Sequence, residues 1–349
     1  MGRMAAVTNS ARSLRIGTLT LRSPVLVAPM VGITDAPCRA LCHELGAGLV
    51  SSEMVAAEAV VRSTDAAFAL LDFPDAVRPV SAQLVGCDPA VMADAAQTCV
   101  ERGATSVDVN LGCPVPRVVS RGSGAALARD IAATARVLGA MVRAVNVPVT
   151  AKLRLGWDHS TINAPELARA LQDAGVAAVA VHGRTRCQKY TGQSDWAEIA
   201  RVKEAVDIPV IGSGDVDDVA LIDERIRAGV VDGVVVARAM LGNLWFVHQA
   251  VRRVADGTVI ADLSFAERLR LTRRHLDLLC AHHGEQRALR TGRKYVAWAI
   301  RGCAGAARLR ARVQFLETRQ QLDDLFDDAL RAGPASTGWF QPIFTSGDG

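Results

Sequence analysis

Along the chain, short apolar runs rich in Val, Ile and Ala alternate with stretches whose apolar residues recur at helical spacing. Eight runs read as buried strands: 24–30, 48–53, 80–85, 105–111, 147–154, 177–182, 208–212 and 233–237. Between them, helical patterns cover 35–45, 89–102, 124–145, 164–173, 196–205 and 217–228. Strands that alternate with helices imply parallel βαβ units, and near-continuous apolar strands imply burial on both faces. The expected fold is therefore α/β, a closed (β/α)8 TIM barrel of about 250 residues. An open, doubly wound sheet is the alternative, but no GxGxxG opens a helix after the first strand. The alternating segment 14–21 (LRIGTLTL) predicts a hairpin at the barrel floor. Near 256–262 the pattern changes to a long helical region, 265–331, with Leu269, Thr272, Leu276 and Leu279 at helical spacing. The predicted division is a barrel over 1–260, an all-helical C-terminal domain over 261–335, and a flexible Gly/Pro/Ser-rich tail over 336–349.

Composition adds a cellular setting and one asymmetry. Half of the 349 residues are apolar, enough for a large core. The first residues mix charged and polar groups without the apolar stretch of a signal peptide, and no run is long enough for a membrane span. Eight cysteines are scattered without a C-x-x-C pair, and Cys38, Cys42 and His43 lack the second half of a zinc site. Reduced thiols in a cytoplasmic protein without a metal are expected. The net charge of +4 hides a surplus: residues 265–320 carry thirteen Lys/Arg against four Asp/Glu, a formal +9. The helical part either meets a polyanion or presents a solvated, Arg-rich helix face.

In a barrel, chemistry collects at the C-terminal strand ends. Those ends hold Pro29 with Met30, Glu53, Gln83, Asn110 with Cys113, Lys152 with Arg154, His182, the Gly212-Ser213-Gly214 run, and Ala237 with Arg238. Amide and cationic side chains of this kind suit an electron-rich ring system. The last two strands are followed by "GSGDV" and "VARAMLGN", which suit the phosphate site usual after barrel strands seven and eight. Lys152, pointing inward, needs an anionic partner: a bound anion, or an ion pair with Glu53 or Asp108. Cys113, in "NLGCPVPR", is either one more small apolar residue or a reactive thiol.

Taken in order, these blocks resemble the tRNA-dihydrouridine synthases, flavin enzymes that reduce uridines in tRNA. The resemblance rests on "PVLVAPMVGITDAPCRALCHELGAG", "NLGCPVPRVVSRGSGAAL", "AKLRLGWD", "VHGRTRCQKYTGQSDW", and "IPVIGSGDV" with "GVVVARAMLGNLWF". The helical "RKYVAWAIRG" is similar to the family's RNA-binding domain, most like its bacterial B-type branch. The resemblance implies noncovalent FMN, with NADPH (or NADH) as reductant. It places Pro29 and Met30 against the isoalloxazine and Gln83, Lys152 and His182 at its polar edge. Gly212, Ser213, Gly214 and Asp215, with Ala237 and Arg238, would surround its phosphate. Asn110 and Arg154 would shape the pocket for flavin and uridine, and Cys113 would be the acid. Hydride would pass from flavin N5 to uracil C6, and Cys113 would protonate C5; a free thiol, of pKa about 8.5, is mostly protonated at neutral pH. Because the target base is stacked within tRNA, it must be extruded. Arg290, Arg293 and Lys294, with Arg301 and Arg308 next, are the expected RNA contacts of a monomer. Ser213 stands where many relatives carry asparagine. Two other readings compete: a flavin barrel enzyme acting on a small pyrimidine, which would not need the basic helices, and an RNA-binding scaffold, which would not need Gln83, Asn110, Cys113, Lys152, Arg154 and His182 together.

Overall fold

The computed structural model describes residues 12–335; the tail expected at 336–349 lies outside the described residues. Packing divides the described chain into two compact units. One comprises 12–237 and Val247–Val259, the other Arg238–Phe246 and 260–335.

The first unit is the barrel. A short antiparallel hairpin, β1 (Leu14–Ile16) and β2 (Leu19–Leu21), precedes eight strands. These are β3 (Val25–Val27), β4 (Leu49–Ala56), β5 (Val80–Val85), β6 (Ser106–Leu111), β7 (Val149–Arg154), β8 (Ala178–His182), β9 (Val210–Ser213) and β10 (Gly233–Val236). All pair in parallel and in chain order, and β10 closes the ring against β3. The β-branched residues that dominate these runs favour the extended backbone and fill both faces. Leu14, Ile16 and Leu21 of the hairpin join Leu26, Leu49, Ala178, Ile211 and Val235 in one buried cluster. The hairpin therefore stoppers the end of the barrel where the strands begin, as its alternation predicts. Each such fully buried aliphatic side chain contributes roughly 1.5–3 kcal/mol.

Aspartates start five of the barrel helices. The side chains of Asp35, Asp88, Asp130, Asp195 and Asp218 each accept backbone N–H groups of the first turn of the helix that follows them. Asp130 also explains a departure from the sequence pattern. The single helix expected over 124–145 is broken into a 3₁₀ segment, Gly124–Arg129, and an α-helix, Ile131–Ala144, because the Asp130 carboxylate accepts the N–H of Ala133 at 2.9 Å. Two short helices after β4, Ala57–Val61 and Asp65–Leu70, and the helix Trp245–Asp256 have no counterpart in the sequence reading.

The second unit contains four helices, Phe265–His283, Glu285–Ala299, Ala306–Val313 and Arg319–Ala332. Ser264 with Glu267 and Thr318 with Gln321 form capping boxes at the first and last. Among the described residues no helix is long and apolar enough to cross a membrane.

Candidate active site

Register brings the polar strand ends together. Gln83 lies beside Asp108, Asn110 beside Lys152, Arg154 beside His182, and His182 beside Ser213. At the end of β6, Asn110 Oδ1 accepts the backbone N–H groups of Gly112 (3.1 Å) and Cys113 (2.8 Å), an Asx turn. Its Nδ2 donates to Gln83 Oε1 at 2.9 Å, and Gln83 Nε2 donates to Asp108 Oδ2 at 2.7 Å. Thr150 Oγ1 donates to the other Asp108 oxygen, also at 2.7 Å. A buried line of hydrogen bonds thus runs from β7 through β6 and β5 to the backbone of Cys113. Asn110, expected to face the pocket, fixes the turn with its amide oxygen and ties itself to Gln83 with its amide nitrogen. Cys113 itself remains partly exposed, and its carbonyl accepts the N–H of Ala125 at 3.3 Å.

Arg154 braces the same turn from β7. Its Nε donates to Gly112 O at 2.9 Å, and Nη1 donates to the carbonyls of Thr185 (2.9 Å) and Lys189 (2.7 Å). Its guanidinium lies 5.5 Å from the Tyr190 ring centre. This nearly buried cation clamps the Cys113 loop to the loop after β8, a task that spacing along β7 does not reveal.

Lys152 lines an axial cavity with Pro29, Asp108 and Thr150. Neither ion pair considered for it forms at contact distance. The Glu53 carboxylate instead accepts the N–H of Gly32 at 2.6 Å, and Asp108 holds Gln83 and Thr150. Burial pushes the Lys152 ammonium down to about 8; Arg154 adds to this and Asp108 opposes it. Burial likewise raises the Asp108 carboxyl, against the pull of its two hydrogen bonds and of Lys152.

Next to it around the mouth, after β8 and β9, lies a second ionic group, centred on a residue the sequence reading passes over. Arg184, fully buried two residues past His182, donates from Nη2 to both Asp215 oxygens at 2.8 Å. The same guanidinium reaches the carbonyls of Thr191 and Gly192 and lies 3.3 Å from His182 Nε2. Asp215 also accepts Ser194 N–H at 2.7 Å and adopts a left-handed φ of 49°. The pair holds the Gly212–Asp215 loop in a shape most side chains resist. Gly214 is required there twice over: its φ is 103°, and a Cβ would approach His182 Cδ2 to 2.7 Å. Beneath the loop, Trp196 Nε1 donates to Gly214 O at 3.1 Å, and the indole fills the space a Gly212 side chain would need. Ser213 is nearly buried, its carbonyl accepting Gly183 N–H at 3.1 Å. The only advance signal for Arg184 was an arginine in "HGRTR" and a carboxylate after "GSG", two marks far apart in the chain.

The remaining candidates separate. Met30 and Ala237 pack against the barrel core, and the Met30 carbonyl closes a turn by accepting Ile33 and Thr34 N–H at 3.0 Å. Arg238 opens the 3₁₀ turn Arg238–Met240 and groups with the helical unit. Within that unit, Arg293 is half-buried and its Nη2 donates to Leu316 O at 2.9 Å, so it serves the helix packing. Lys294 lies 5.0 Å from the Tyr295 ring centre. Arg290, Arg301 and Arg308 are exposed and form no ion pair among the described residues. The basic surplus is also smaller than the 265–320 window suggests, because the last helix supplies Asp323 to Arg273 and Asp328 to Arg312 and Arg331.

The family model described as Dihydrouridine synthase (Dus) matches residues 26–332. The chain belongs to the dihydrouridine synthase family. It is 40% identical over 323 residues to tRNA-dihydrouridine synthase B of Xanthomonas campestris pv. campestris, covering 92% of this chain and 97% of that one. It is 39% identical over 304 residues to tRNA-dihydrouridine synthase B of Pseudomonas aeruginosa, covering 87% and 92%. Among solved structures this chain resembles histamine dehydrogenase from Rhizobium sp. 4-9, with a TM-score of 0.56 and 13% identity. That match covers 82% of this chain but only 50% of the other. An old yellow enzyme homologue from Zymomonas mobilis gives a TM-score of 0.52 at 13% identity, covering 72% of this chain and 93% of the other. At such identities the structural likeness concerns the fold alone.

Proposed function

We propose that the protein is a tRNA-dihydrouridine synthase that holds FMN in the barrel mouth, draws electrons from NADPH and saturates the C5–C6 bond of a uridine in tRNA. It would act as a cytoplasmic monomer. The observation that carries this reading is Cys113, partly exposed and held by Asn110 at the end of the strand beside Lys152. Family membership adds the substrate class, because the similar proteins of Xanthomonas and Pseudomonas are tRNA-dihydrouridine synthases.

The donors fit the cofactor. Lys152 is a buried-side cation without a contact ion pair, which suits the electron-rich edge of an isoalloxazine. The Gly214 and Asp215 backbone, fixed by Arg184, suits a phosphate group. When bound, the flavin supplies hydride to uracil C6. The chain's part is then to place a proton at C5, and the Asx turn directs the Cys113 segment for that transfer. Gln83 and Asp108 keep the turn from relaxing, and Arg154 prevents it from separating from the loop after β8. Arg290, Arg301 and Arg308 would meet the phosphate backbone of the RNA. Incubation of the purified protein with FMN, NADPH and unmodified tRNA should give dihydrouridine, read as a gain of two hydrogens in the released nucleoside. RNA left unreduced under these conditions would overturn the proposal.

Lys152 makes flavin binding pH-dependent. In the free protein its ammonium loses its proton near pH 8, whereas an electron-rich ligand edge favours the charged form. Above pH 8 binding must therefore be accompanied by proton uptake, and affinity for FMN should fall by up to about tenfold per pH unit. Below pH 8 this dependence vanishes, since the lysine is already charged. Titrating FMN by fluorescence quenching from pH 6 to 10 checks the slope, which Lys152→Arg should remove.

A further inference from the structure

Beside the Cys113 loop lies a cleft of about 330 Å³ whose lining includes Leu111, Ala125, Arg129, Arg154, Trp157 and Asn163. It shares a wall with the proposed active site: Arg154 holds Gly112, and Ala125 N–H holds the Cys113 carbonyl. The surrounding loops are stitched together. Asn163 Nδ2 donates to Ala128 O at 2.8 Å, Arg186 N–H to Gly156 O at 2.9 Å, and Cys187 N–H to Trp157 O at 2.9 Å.

Two guanidinium groups converge on the Trp157 indole. Arg129 lies 4.7 Å and Arg186 4.4 Å from the ring centre. A cation held on an aromatic face keeps its N–H donors for other partners. Neither side chain donates a hydrogen bond or forms an ion pair among the described residues, and Arg186 Nε is shielded from solvent without an acceptor. The two carboxylates adjoining these residues in sequence are turned elsewhere. Asp130 caps its helix, and Asp158 accepts from Ser160 and Thr161. Positive charge is thus concentrated on a rigid wall and left unneutralised.

We propose that Arg129 and Arg186, presented by Trp157, bind a phosphodiester of the RNA strand adjoining the target uridine. This rests on the functional reading above. A nucleotide swung out of its stack draws its flanking phosphates toward the pocket that receives the base, and those charges need donors at the pocket wall. Arg129 and Trp157 line the cleft, and Arg186 meets the same indole from the loop after β8.

The test uses FMN-loaded Arg129→Ala, Arg186→Gln, the double variant, and Arg129→Lys as the conservative control. Each single loss should weaken tRNA binding about tenfold and make the log–log salt dependence shallower by about one. KM for tRNA should rise with the dissociation constant, kcat at saturating tRNA should hold, and Arg129→Lys should recover most of the affinity. The rate of flavin reduction by NADPH should not move. Wild-type affinity and salt slope in the double variant would overturn the proposal. So would a raised KM for NADPH with tRNA affinity intact, which would give the cleft to the reductant's phosphate. Wild-type enzyme unable to reduce tRNA at all would overturn the functional reading itself, a separate result.

Discussion

Replacing Cys113 with alanine is expected to slow uridine reduction by roughly 10²–10⁴-fold, the usual contribution of a positioned proton donor. The variant should fold and remain yellow, because Asn110 grips the backbone of residue 113 and not its side chain. Its flavin should still be reduced by NADPH at the wild-type rate. The loss should therefore lie wholly in the second half of the reaction, which rapid mixing of reduced enzyme with tRNA isolates. Serine at this position offers a hydroxyl in place of the thiol and should restore little, since its proton is far less acidic. A Cys113→Ala enzyme that modifies tRNA at the wild-type rate would take the acid's role away from this residue.

The second large effect is expected at Arg184. Substitution by methionine keeps much of the volume but takes both Arg184 hydrogen bonds from the Asp215 carboxylate, whose residue sits in a left-handed backbone conformation. Breaking such a pair by removing one partner typically costs about 3–5 kcal/mol. Denaturant unfolding should show that loss, and FMN should dissociate more readily because the Gly212–Asp215 loop is freed. Arg184→Met combined with Asp215→Asn removes both charges and should recover part of the stability. An unchanged unfolding midpoint in the single variant would show that the pair does not hold the loop.

The barrel was legible because its determinants are local. Runs such as Val80–Val85 and Gly233–Val236 carry their β preference and their burial in the same residues, and five of the helices between them begin at aspartates. The long helix at 124–145 was misread because Asp130 can sit within a helix or cap one, and periodicity does not distinguish the two. Strand ends named the residues that gather at the mouth, but not their partners. Sequence pairs Lys152 with Glu53, Asp108 or a bound anion, whereas the structure gives Glu53 to Gly32 and Asp108 to Gln83 and Thr150. Arg154 and Asn110 stand out as pocket residues; the structure adds that Arg154 donates to backbone carbonyls and that Asn110 accepts backbone N–H groups and donates to Gln83. Arg184 went unseen since its importance depends on Asp215, which folding alone brings near. Charge counting likewise does not foresee that Arg293 donates to the carbonyl of Leu316.

The hairpin that stoppers the barrel gives the proposed reaction its traffic rule. With Leu14, Ile16 and Leu21 sealing one end, the barrel is a blind cup with a single door. In the proposed reaction, nicotinamide and uracil would each have to arrive from the mouth at the strand C-terminal ends. The hairpin thus sets the direction of approach: reductant and substrate would reach the site from one side, and the floor would stay closed to both.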